Sequence, residues 1–198
     1  MESTLTLEQM YEMQKVLDAR IIKEKGLEGV DLLPNTILAL QVEIGELANE
    51  WRGFKHWSND QEPRYEKKSI AFADPGGPFE DVTHPLIEEY VDCLHFFLSI
   101  ARQLNLKADD LYCYDEYVDG ETSVLFTEIL HQVGAIIGDK FLANPMENFN
   151  MHRKHFFKGA LYAFYALGEK RLGYTSKQIA EAYAAKNKVN HDRQSNGY

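Results

Sequence analysis

The stretch NTILALQVEIGELANEW places an apolar residue every three or four positions, at Ile37, Leu40, Ile44, Leu47 and Trp51. Such spacing returns to one side of an α-helix, so the segment must bury that side against another element. The same period runs through most of the chain. Thr6 and Gln9 have the form of a capping box, and Met10, Leu17 and Ile21 then make one stripe to about Lys25. Pro34 suits the first turn of a second helix, which ends near Gly53. A third begins near Pro85 and continues through LIEEYVDCLHFFLSIARQL. Two more are expected at about 123 to 138 and 150 to 168, and Thr175 with Gln178 caps a last one, SKQIAEAYAAKNKV. Residues 58 to 84, which contain DPGGP, read as a long loop with room for a short hairpin, and the acidic DDLYCYDEYVDGE is a second connection. The expected architecture is an all-α helical bundle, and a length of 198 residues suits one domain over 1–198.

Acidic residues interrupt the second and third stripes. Glu43 and Glu46 stand three apart on one helix, and Glu89 and Asp92 stand three apart on the next. Residues at that spacing lie about 60° apart around the axis, so each pair projects together. Two neighbouring helices that each offer such a pair can converge on one volume. Four carboxylates there would raise one another's pKa unless cations neutralise them, and hard divalent ions such as Mg²⁺ are the natural solution. Spacing alone leaves a solvated face and a metal site both open.

Net charge decides what else can bind. A formal charge of −10 and a pI of about 5.2 argue against nucleic acid or an anionic membrane surface as partner. No apolar run is long enough to span a bilayer, and two cysteines, Cys93 within an apolar run and Cys113, make no disulfide framework; a reduced, cytoplasmic setting is expected. An anionic ligand would need bridging cations.

Paired ExxE and ExxD motifs in an all-α chain resemble the MazG-like NTP pyrophosphohydrolase superfamily. Two further stretches are similar to its dimeric dUTPase branch: ELANEWRGFKHW after the first pair, and the tail AYAAKNKVNHDRQSNGY, with its Lys-Asn, Asn, Arg-Gln and Gly-Tyr elements. With Gln14 in the first helix, the likeness reaches both ends of the chain. One departure is the long insertion between the second and third main helices. The resemblance implies a homodimer that hydrolyses dUTP to dUMP and pyrophosphate. Its Mg²⁺ ions, two or more per site and replaceable by Mn²⁺, would be held by Glu43, Glu46, Glu89 and Asp92. Glu43 is the expected general base, with Glu46 as the other choice. Other members of the superfamily act on dCTP or on NTPs generally, so those substrates stay open.

The remaining candidates follow from residue chemistry beside that resemblance. Gln14 interrupts an apolar stripe, so its amide is expected to face inward, toward a uracil edge or a backbone partner. Lys186, Asn190 and Arg193 share one side of the last helix if it continues that far; the cations suit phosphates and the amide suits a base or sugar. Tyr198 would close over the phosphates, and Lys55 and Trp57 would line the pocket. His95 is expected to be a core histidine rather than a ligand, and Glu50 and Glu88 to be peripheral. A carboxylate-bridged di-iron bundle is the rival from another class, but such sites add Glu-x-x-His motifs, and neither acid pair has a histidine at that spacing.

Overall fold

The computed structural model describes residues 4–73, 76–112, 118–137 and 149–197. Six α-helices dominate it. They are α1 (Leu7–Glu24), α2 (Leu33–Trp51), α3 (Pro85–Gln103), α4 (Thr122–Ala135), α5 (Phe149–Ala166) and α6 (Ser176–Ser195). Strands β1 (Lys67–Ala73) and β2 (Gly77–Thr83) form an antiparallel hairpin between α2 and α3. The long connection therefore carries the short hairpin it had room for, with Ile70 opposite Glu80 and Phe72 opposite Pro78.

Local chemistry explains the helix ends. Thr6 and Thr175 each accept a hydrogen bond from the N3 backbone, while Gln9 and Gln178 reach back to the cap, so α1 and α6 both start on complete capping boxes. Prolines lie in the first turns of α2 and α3, where a missing N–H costs nothing. Arg52 ends α2 in a left-handed conformation (φ 64°). Its buried guanidinium donates to the Asp60 carbonyl at 2.6 Å and pairs with the Asp60 carboxylate at 2.9 Å, which tethers the start of the long connection. Beyond α5 the chain widens into a π-helical turn over Leu167–Arg171. Gly168 is required there, because a Cβ would lie 2.3 Å from the Tyr90 hydroxyl.

The core is centred on α3. Leu86, Tyr90, Phe97, Leu98 and Ile100 are fully buried, and Leu40, Ile44 and Leu47 of α2 meet them. Phe164 of α5 stacks on Tyr90 with ring centroids 4.3 Å apart. Helices α1 and α6 close the other side, and the Tyr183 hydroxyl donates across to the Met10 carbonyl at 3.0 Å. The expected stripes of α2 and α3 are thus buried against each other, which brings their flanking acids together. Among the described residues no helix is long and apolar enough to cross a membrane.

Candidate active site

Glu43 and Glu46 flank the buried Ile44 and Leu47 on α2, and Glu89 flanks Tyr90 on α3, so the packing of the two helices carries the acids to a common edge. Glu43, Glu46 and Glu89 each bring a carboxylate oxygen within 4.8 Å of the other two. Glu46 is exposed, whereas Glu43 and Glu89 are half-buried. The Glu89 carboxyl is pushed up to about 7, first by loss of hydration and then by the charges of Asp92, Glu46 and Glu43. Burial also raises Glu43, with Asp92 and Glu46 adding to the rise. Three crowded acids of this kind suit a hard cation, since a positive ion relieves the repulsion and compensates the hydration that burial removed.

Asp92 stands apart from that trio. Its carboxylate accepts from the Lys186 ammonium of α6 in an ion pair whose side chains are 15% and 20% exposed. Burial raises the Asp92 pKa even so, with Lys186 acting against the rise.

Beside the acids lies a cleft of about 280 Å³ whose walls come from four helices. Gln14, Asp18 and Ile21 of α1 form one side, Glu43 and Asp92 the acidic end, Phe96 and Ser99 of α3 the floor, and Lys186, Asn190 and Arg193 of α6 the other side. The last helix does continue through all three tail residues. A larger hollow of about 510 Å³ on the hairpin, lined by Lys68, Ile70, Phe79 and Glu80, lacks any such combination of charges and amides.

Gln14 faces inward at 4% exposure, and most of its hydrogen-bonding capacity is taken. Its amide nitrogen donates to Asp18 Oδ1 at 2.7 Å, and its carbonyl oxygen lies 2.9 Å from the Tyr183 hydroxyl, whose single proton it shares with the Met10 carbonyl. His95 Nδ1 lies 2.6 Å from the same carbonyl oxygen. Asp18 is itself paired with Arg102 at 2.5 Å and accepts from Ser99 at 2.7 Å, so it takes the amide nitrogen and leaves the carbonyl to His95, which assigns a proton to Nδ1. With both carbonyl lone pairs used, Gln14 retains one N–H for a ligand. His95 is 5% exposed, stacks on Tyr183 at 4.1 Å, and is pulled down to about 3 by burial and then by Lys186. It is a neutral core histidine outside the acid cluster.

The other expected site residues are dispersed. Trp57 is 68% exposed, with its ring against Phe54 and His56, and Lys55 sits over the Phe54 ring at 5.6 Å; neither lines this cleft. Glu50 pairs with Arg64 at 3.1 Å, and Glu88 accepts from the His84 backbone N–H, so both are peripheral. Tyr198 lies outside the described residues. Asp18, Phe96, Ser99 and Arg102 were not among the sequence candidates. Only Asp18, one turn beyond Gln14, carried a usable signal.

Two comparisons bear on this arrangement. A family model described as dUTPase matches residues 6–75 and 79–198, covering β1 and all but the first two residues of β2. No curated protein matches the chain.

Proposed function

The chain belongs to the dimeric all-α dUTPase family, and from that membership we propose that it hydrolyses dUTP to dUMP and pyrophosphate in the cleft between α1, α2, α3 and α6. The observation that carries the reading is the acid trio of Glu43, Glu46 and Glu89 at one end of a cleft whose other walls hold amides and cations. Glu43, Glu46, Glu89 and Asp92 would hold Mg²⁺, with Mn²⁺ as a substitute. Bound ions of this kind neutralise a triphosphate and lower the pKa of a coordinated water.

The chain's own groups supply the rest. Glu43 belongs to both the acid trio and the cleft wall, which favours it over the exposed Glu46 as the base that accepts the proton of the attacking water. Lys186 and Arg193 approach the cleft with charge suited to phosphates. The remaining Gln14 N–H and the Asn190 amide serve the base edge, and the Phe96 ring is available for its face. A donor aimed at a uracil carbonyl meets an amine in cytosine, and a site built on such a contact can discriminate by about 10⁴-fold. In a homodimer, exposed Leu38 and Val42 of α2 would gain cover.

The test is pyrophosphate release from dUTP, dCTP, dTTP and UTP, with Mg²⁺ and with EDTA. Preference for dUTP and silence in EDTA are expected. Equal turnover of dCTP or UTP would replace this reading with a general pyrophosphohydrolase of the same superfamily, and metal binding without turnover of any nucleotide would leave only a carboxylate metal protein.

A further inference from the structure

Lys186 holds a position that a divalent cation would contest. Its ammonium is ion-paired with Asp92 in a largely desolvated contact, one helical turn from Glu89 and beside the three-acid cluster. The same cation acts on Glu43 and Glu89 as well as on Asp92. One positive charge is therefore already paired with Asp92 and acts on two members of the neighbouring acid trio. We propose that Lys186 is the internal counter-ion of the metal-free site, and that a divalent cation binds by displacing its ammonium from Asp92 toward the nucleotide cleft. The metal half of this rests on the acid cluster, and the cleft half rests on the dUTPase reading.

The surrounding structure confines such an exchange to the side chain. On one side of Lys186, the Tyr183 hydroxyl ties α6 to the Met10 carbonyl at 3.0 Å. On the other, Arg20 of α1 donates to the His191 carbonyl at 3.0 Å and to Ser195 Oγ at 3.1 Å. The helix is held on both flanks, while a lysine stem has four rotatable bonds with which to move its charge. The cleft offers the ammonium a place to go, since Lys186 already lines it together with Asn190 and Arg193. Metal and lysine then repel each other when no nucleotide is bound, and both attract a triphosphate once it arrives. Metal and nucleotide would bind with positive coupling, felt equally by each ligand.

The experiment is calorimetric titration of Mg²⁺ into EDTA-stripped wild type, Lys186→Met and Lys186→Arg, all without nucleotide. Removing the competing charge should tighten Mg²⁺ binding of Lys186→Met by about tenfold, while Lys186→Arg should stay near wild type. Unchanged or weaker Mg²⁺ binding in folded Lys186→Met overturns the proposal. Should that variant fail to fold, a crystal structure of the wild type soaked in Mg²⁺ decides it. Nζ is expected beyond hydrogen-bond reach of Asp92, and an intact ion pair beside bound metal refutes the exchange. Binding of a non-hydrolysable dUTP analogue with Mg²⁺, expected to weaken in Lys186→Met, reports on the dUTPase reading alone.

Discussion

Glu89→Gln should make the metal-free protein more stable at alkaline pH. Glu89 has its folded pKa raised to about 7, against 4.5 for an ordinary glutamate. Below about pH 4.5 the group is protonated whether the chain is folded or not, and its ionisation costs nothing. As pH rises from 4.5 to 7, the unfolded chain loses this proton first, so the folded state binds more protons and stability falls. Above pH 7 the cost is fully expressed. The difference between the two values sets an upper bound of about 3 kcal/mol. Glu89 is partly solvated, which reduces the expected cost to about 1–2 kcal/mol. Glutamine carries no charge at any pH and can still donate to Glu43. Urea unfolding followed by circular dichroism in EDTA should therefore find Glu89→Gln more stable than wild type by about 1–2 kcal/mol at pH 8, with the two converging toward pH 5. Mg²⁺ should reverse the order, because it stabilises a folded state that retains all four acids. A Glu89→Gln protein no more stable than wild type at pH 8 in EDTA would refute the argument that these acids are crowded without metal.

Glu46→Gln should abolish turnover while leaving the circular dichroism spectrum intact, and normal turnover would remove Glu46 from the metal set. Asp92→Asn should also abolish turnover, but its stability in EDTA should not rise, since Lys186 loses its partner; a rise of more than about 1 kcal/mol would contradict the ion pair. Gln14→Ala should narrow the dUTP-to-dCTP ratio and also cost about 1–3 kcal/mol in denaturant melts, because His95 and Tyr183 lose their common acceptor. Asn190→Ala should narrow the same ratio with stability within about 0.5 kcal/mol of wild type, and an unchanged ratio in both variants would mean that neither amide reads the base. Deleting residues 196 to 198 should raise KM without lowering Tm, whereas a cut before Lys186 should lower both stability and activity, since Asn187 is 5% exposed; equal Tm for the two truncations would count against that distinction.

Helices, caps and acid pairs were legible in the sequence because each is a relation between residues three or four apart. Thr6 with Gln9, and Thr175 with Gln178, satisfy backbone groups within their own first turns. The stripes of α2 and α3 state which faces must be buried, and burying them against each other is enough to bring Glu43, Glu46 and Glu89 together. The hairpin was harder to read because Ile70, Phe72, Phe79 and Val82 stay exposed and follow no regular alternation, so no core imposes a pattern on its strands. The partners of the site side chains were outside the reach of spacing. Asp92 has the same local relation to Glu89 as Glu46 has to Glu43, yet it binds a lysine 94 residues away in sequence. Gln14 signalled only that it was buried. The groups that share its amide, His95 and Tyr183, are 81 and 169 residues away and meet it only when α3 and α6 dock on α1. Trp57 belongs to the stretch that resembles the dUTPase branch after the first acid pair, yet it is 68% exposed. Periodicity selects the face of a helix. Which charge or amide that face meets depends on the approach of other helices and on rotamers set by the cavity they enclose.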